Sequence, residues 1–198
     1  MENPFAVLSL VASILEQQGI TYVLVGSLAS SMHGMYRSTA DIDLLADVKA
    51  EQILPLLGTL QDSFYVDEHA VREAIVRKQS FNAIHFDSVF KVDIFIPKGD
   101  AFSRKQLERR ELRKLSSDPE QTVYVATVED TILAKLRWYD AGGRNSSTQW
   151  NDVMGMIGAS ATRLDESYLR EWAETLGVSG LLGEAFKAGQ RNYQSFDE

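Results

Sequence analysis

Asp41 and Asp43 stand two residues apart in the run "DIDLLADV", which is otherwise apolar. In a strand, alternate residues project to one side, so both carboxylates would leave the same face with Ile42 on the other. Two neighbouring carboxylates repel each other and resist burial, so such a pair needs a positive partner. A divalent ion supplies one well: Mg²⁺ takes one or two carboxylates and completes its octahedron with water and substrate phosphates. A third acid, Asp93, sits in the apolar run "KVDIF". Three acids on adjacent strands could hold two metal ions and support in-line displacement at phosphorus. Upstream, Gly26-Ser27 follows the apolar run "TYVLV". A glycine turn between a strand and a helix allows close backbone approach, and the free N–H groups of a helix start attract a phosphate. Each signal is weak alone, since most Gly-Ser pairs are simple turns and many D-x-D pairs lie in exposed loops. The order and spacing of the three together are far more specific.

Composition narrows the classes of function. The chain has 198 residues, 44% of them hydrophobic, enough for a real core, and a net charge of −8. That charge argues against broad, nonspecific nucleic-acid binding, which needs excess Lys and Arg. One local basic run, Phe102 to Leu115, sets Arg104, Lys105, Arg109, Arg110, Arg113 and Lys114 against Glu108 and Glu111. Its ordinary explanation is a solvated helix face. With no cysteine, disulfides, thiolate zinc sites and cysteine nucleophiles are excluded. His33, His69 and His85 match no metal-ligand spacing, and no Walker-type or G-x-G-x-x-G loop is present. The N-terminal apolar stretch lacks the basic start of a signal peptide and reads as a core-facing helix. No run reaches the roughly 18 apolar residues of a membrane span, so a cytoplasmic location without membrane contact is expected.

The pattern predicts a helix over residues 4–18, with Asn3 as cap and Gly19 as stop. A strand at 21–25, a short helix from about Ser27, a strand at 41–48 and a helix around Pro55 follow. Three further strands fall at "FYVDE", "FNAIHFDS" and "VFKVDIFIP". The basic run reads as a helix, and "TVYVA" as a short extended piece. Beyond it the signals are helical: Thr127 opens one helix, Ser147 the next, Asp165 or Ser167 a third and Ser179 a fourth, with "GQRNYQSFDE" as a loose tail. The expected class is α/β (α+β): a mixed sheet flanked by helices over residues 1–125, then a small helical region, 126–198, packed on that core.

The stretch "VGSLASSMHGMYRSTADIDLL" followed by "VFKVDIF" resembles the nucleotidyltransferase superfamily, whose fold is shared with DNA polymerase beta and kanamycin nucleotidyltransferase. The spelling "RSTADID" is similar to that of the AbiEii-type bacterial toxin branch and related uncharacterised proteins. The core of the resemblance covers roughly residues 20–97, and "ATVEDTILAKLRWYDAGGRNSSTQWNDVMGMI" extends it. The resemblance implies a nucleotidyltransferase fold and transfer of a nucleoside monophosphate from an NTP to an acceptor hydroxyl. It implies that Asp41, Asp43 and Asp93 hold one or two Mg²⁺ ions, with Mn²⁺ able to substitute. Gly26, Ser27, Arg37 and Thr39 would bind the nucleotide, Lys135 would contact phosphate, and Asp152 would serve the active site from the helical region. The acceptor could be RNA, a protein side chain or a small molecule, the AbiEii similarity favouring RNA, tRNA included, with an antitoxin as a possible partner. Ser27 departs mildly from the commoner second glycine, which the superfamily tolerates.

Several of these residues also admit plainer readings. Lys135 lies at the edge of a helical stripe formed by Val128, Ile132, Leu136 and Tyr139. Its stem could pack while its ammonium stays in water, or the ammonium could reach a phosphate; in either case Lys135→Met should spare stability. Asp152 points away from the stripe of Trp150, Val153, Met154 and Ile157, as a solvated acid also would. Asp130, on the far side of its helix, reads as an acid that complements the helix dipole. Arg37 could contact triphosphate or pair with one of the acids. Two further functional readings stay open: a nucleotide-binding or protein-interaction module without turnover, and a metal nuclease.

Overall fold

The computed structural model describes residues 4–35, 39, 41–117 and 120–194. The Asn3 cap therefore lies outside the described residues. The chain divides into two compact units, Met1–Leu28 with Ser38–Ala126 and Ala29–Arg37 with Thr127–Glu198.

In the first unit, α1 (Pro4–Gln17) leads into β1 (Tyr22–Val25), α2 (Gly26–Met32) and β2 (Asp41–Ala46), and the division between units falls within α2. Next come α3 (Ile53–Leu60), β3 (Phe64–Val66), α4 (Glu68–Arg77), β4 (Ser80–His85) and β5 (Lys91–Phe95). The unit closes with α5 (Ala101–Arg109), β6 (Glu111–Ser117) and β7 (Glu120–Val125). The strands form one mixed sheet in the order β3-β4-β5-β2-β1-β7-β6. β2 pairs parallel with β5 and antiparallel with β1.

Alternation along these strands separates two sheet faces. One carries Tyr22, Leu24, Ile42, Leu44, Phe64, Phe81, Ala83, Val92 and Ile94, all buried. α1 contributes Leu8, Val11 and Leu15 to the buried set, spaced for one helix face. On the other face α5 lays Leu107 against Val23, Leu45 and Ala126, with Val25 and Phe95 partly buried beside them.

Two segments differ from the sequence pattern. The apolar pattern marks no helix between Val66 and Ser80, where α4 lies. Its polar face hides a narrow stripe of Val71, Ala74 and Ile75, and Asp67 caps it by accepting from the Ala70 N–H at 2.9 Å. The basic run is not one helix. α5 ends at Arg109, Arg110 takes an extended conformation (φ −52°, ψ 141°), and Glu111 begins a strand paired with β7. Tertiary pairing overrides the helical propensity of Arg, Lys and Glu there.

The second unit holds α6 (Val128–Ala141), α7 (Ser147–Ser160), α8 (Glu166–Thr175) and α9 (Ser179–Gln194). Thr127 caps α6 as predicted. Ser146, not Ser147, caps α7, accepting from the Gln149 N–H at 3.3 Å. Asp165 caps α8. The predicted tail is helical as far as Gln194, with the last residues outside the described set. Among the described residues no helix is long and apolar enough to cross a membrane.

Tyr22 shows how the first unit tolerates a buried polar group. Its hydroxyl donates to Glu16 Oε1 at 2.8 Å and accepts from the Tyr124 N–H at 3.5 Å. Burial, reinforced by the Glu16 contact, pushes the phenol well above its ordinary value. The folded state thus disfavours phenolate. The corresponding stability is intact below about pH 10, the unfolded value, and is lost as pH rises beyond it. Tyr22→Phe should cost about 1 kcal/mol at neutral pH through the lost hydrogen bonds. Urea melts of the two proteins should converge above about pH 10, where only wild type carries this titration; a gap that stays constant or widens would contradict the assignment.

Candidate functional site

β2 and β5 lie in register with Asp41 beside Lys91 and Asp43 beside Asp93. On β1, Val25 faces Asp43, and on β4, Asn82 and Ile84 face Asp93 and Lys91. Paired residues share a sheet face, so Asp41, Asp43 and Asp93 all project from the face opposite the main apolar layer. Neighbouring strands are about 4.8 Å apart, so the acids are close neighbours.

Lys91, which the sequence pattern passes over, lies among them. Its ammonium is 2.8 Å from Asp93 Oδ2 and 3.6 Å from Asp41 Oδ1. The Asp93 hydrogen bond holds the Lys91 ammonium above the ordinary lysine range. The signal was present in "KVDIF": two residues before Asp93 on one strand means the same face.

Gly26 has a role distinct from phosphate approach. Its φ is +68°, and a Cβ added there would lie 2.0 Å from Asp43 Oδ2 and 2.9 Å from Asp43 Cβ. Glycine is required both by the backbone conformation and by the Asp43 side chain packed onto it. Ser27 follows at the start of α2 and is partly exposed. Thr39 Oγ1 accepts from the Asp41 N–H at 3.3 Å, so its hydroxyl orders the entry to β2. Arg37 lies outside the described residues.

Among the described residues, no group of three or more His, Cys, Asp or Glu side chains is arranged to hold a metal ion. The donor set still suits Mg²⁺, which uses one or two carboxylates and completes its shell with water and phosphate oxygens. The Asp43 carboxylate, seated in the space that a side chain at residue 26 would fill, belongs to that set.

Lys135 and Asp152 belong to the second unit, and their Nζ and Oδ2 atoms are 2.8 Å apart. Both are buried, at 6% and 4% exposure. The ammonium therefore does not snorkel and the acid is not solvated. A single apolar stripe fails to describe these helices because α6 packs against both α7 and α8, and α7 against both α6 and α9. Asp130 likewise is fully buried and accepts from Tyr168 Oη at 2.6 Å, while Glu129 Oε1 accepts from the Asp165 N–H at 3.2 Å. The acids of the first α6 turn thus tie α8 in place, beyond any effect on the helix dipole. His85 is structural: its ring packs edge-on to Phe64 and its Nδ1 lies 2.9 Å from Ser88 Oγ.

Residues 5–144 match a family described as a nucleotidyltransferase of unknown function (DUF6036). No protein with a curated description matches the chain in sequence. Among solved structures, the fold is similar to that of an antigenic nucleotidyltransferase-like protein from Paracoccidioides brasiliensis. The TM-score is 0.54 and identity 18%, over 92% of this chain and 91% of that one. It is also similar to the antibiotic-resistance factor ANT(2'')-Ia, with a TM-score of 0.53 and 12% identity over 96% of each chain. At these identities the two structures speak to the fold alone.

Two outcomes follow from the packing. Gly26→Ala meets both positive φ and the Asp43 side chain, whereas Gly19→Ala meets positive φ with nothing within 4 Å. Gly19→Ala should cost about 1 kcal/mol, and Gly26→Ala clearly more; equal losses in denaturant melts would refute the close approach. Lys135→Met should not spare stability, as the helical pattern suggested. Removing Lys135 leaves the Asp152 carboxylate buried without its ammonium, at a cost of about 3–5 kcal/mol, whereas joint replacement by apolar residues of similar volume should recover most of it. A single variant that melts like wild type would contradict the buried pair.

Proposed function

Because the chain belongs to the nucleotidyltransferase family that residues 5–144 match, we propose that it transfers a nucleoside monophosphate from an NTP to an acceptor hydroxyl. The observation that carries this reading is the acid face itself. Asp41 and Asp43 leave β2 beside Asp93 of β5, with Gly26 seating the Asp43 side chain. A sheet has little reason to gather like charges unless a cationic ligand is to be held there.

In the proposed reaction the acceptor oxygen bonds to the α-phosphorus, the bond from that phosphorus to the bridging oxygen breaks, and pyrophosphate leaves. Asp41 and Asp43 would hold Mg²⁺, or Mn²⁺ in its stead. The bound ion would neutralise phosphate charge and lower the pKa of the attacking hydroxyl. Asp93 would orient that hydroxyl and accept its proton. Gly26 and Ser27 would contact the triphosphate, Ser27 through its hydroxyl. In the second unit, Lys135 and Asp152 would act as a pair that sets α6 against α7, a positioning role that replaces direct phosphate contact by Lys135.

RNA, tRNA included, is the acceptor we place first, on the similarity of "RSTADID" to the AbiEii branch; a toxin-like role with an antitoxin partner rests on the same similarity. Incubation with each α-³²P-labelled NTP, Mg²⁺ or Mn²⁺, total RNA and total protein tests both activity and acceptor. Label in RNA is the expected result, and label in protein moves the acceptor to a side chain. Asp43→Asn should lower transfer by about a hundredfold or more, on the scale of losing a group that stabilises transition-state charge. Its melting temperature should hold or rise as acid–acid repulsion is relieved. NTP binding without any transferred label would instead favour a module without turnover.

A further inference from the structure

Without a nucleotide, the charged groups on the acid face balance one divalent ion and not two. By the strand registers, the described face around the acids carries Asp41, Asp43, Asp93 and Lys91, flanked by Val25, Asn82, Ile84 and Tyr65. Three carboxylates and one ammonium sum to −2, which a single divalent ion neutralises. The ammonium also occupies a definite place. It sits between Asp41 and Asp93, within 3.6 Å of one and 2.8 Å of the other. A second ion bridging those carboxylates would need that space and would face a like charge there.

We propose that Lys91 is a built-in counter-ion that takes the place of a second divalent ion, so that the acid face, before a nucleotide adds its own negative charge, accepts one metal ion per chain. The proposal rests on the nucleotidyltransferase reading above, which supplies the expectation of a metal at Asp41 and Asp43. A lysine suits the task because its ammonium is a compact point charge on a flexible stem. It is covalently fixed to the strand, so its local concentration does not depend on the ion concentration in solution. It also sits beside the acid assigned to the acceptor hydroxyl. Lys91 would therefore hold Asp93 in place without committing that carboxylate to a metal.

The side chain is partly exposed, at 42%, so its replacement should leave the fold intact, which a melt checks directly. The experiment is a titration with Mn²⁺ alone, followed by electron paramagnetic resonance, on wild type, Lys91→Met, Lys91→Arg and Asp43→Asn. Wild type and Lys91→Arg should each bind one ion. Lys91→Met should bind two, and show the spin coupling of ions about 4 Å apart. Its first ion should bind on the order of tenfold more tightly, because a unit positive charge beside the site is gone. Asp43→Asn should lose the ion that wild type binds. Two ions in wild type, or the same number and affinity in Lys91→Met, would overturn the counter-ion role while leaving the metal site standing. No bound ion in either wild type or Lys91→Met would overturn the metal reading and this proposal with it.

Discussion

The pairing register of β2 and β5 governs everything proposed for this protein. A one-residue slip would move every side chain of a strand to the opposite face. Ile42, Leu44, Val92 and Ile94 are fully buried on the main apolar face, so a slip would put Asp41 and Asp43 into that core. Burying such carboxylates unpaired costs several kcal/mol each, on the order of the whole stability of a domain when summed. The apolar face therefore enforces the gathering of acids on the other. Electrostatic repulsion at the site is tolerated because core packing is worth more, and Lys91 reduces what remains.

The second unit solves a related problem differently. α6 is buried on several sides at once and carries Glu129, Asp130 and Lys135 inward. Each meets a named group: Glu129 the Asp165 N–H, Asp130 the Tyr168 hydroxyl through Oδ1, and Lys135 the Asp152 carboxylate. Such contacts contribute little net stability against an apolar alternative, yet they tolerate only one arrangement of partners. α7 and α8 are thus fixed to α6 by directional bonds as well as by Ile132, Leu133, Val153, Met156 and Leu169.

The strands were legible because apolar runs with period two are hard to mistake, and "DIDLLA" and "KVDIF" show both the strand and the acid face in a few residues. The pattern was less informative where an element is buried on more than one side. Asp152 and Asp130 leave the apolar stripe of their helices, yet a second neighbouring helix waits there. α4 leaves little apolar signal because only Val71, Ala74 and Ile75 face inward from a charged segment. The α5–β6 boundary was hidden for another reason: "ERRELRKL" favours helix locally, and only pairing with β7, near in sequence, makes it a strand. The acids of the site were readable from spacing. Lys91 shares their face by the same spacing, but its place between Asp41 and Asp93 and the seat of Asp43 at Gly26 come from the pairing of β2 with β5 and β1.

The charge distribution also bears on how an acceptor could be held. The net charge is −8, and the most cationic run is divided between α5 and β6. Four of its six cations have partners close by. Lys105 pairs with Glu108, Arg113 with Glu111, Arg104 with the Gly99 carbonyl, and Arg110 with the Leu107 carbonyl and the Tyr124 ring. A surface built for nonspecific nucleic-acid binding keeps cations available to release counterions from phosphate. These are committed to the protein's own carboxylates and carbonyls. An RNA acceptor would therefore be recognised through a few directed contacts near the acid face, with Asn82 and Tyr65 on the flanking strands available for them, and its binding would depend less steeply on salt than that of a protein with a broad basic surface.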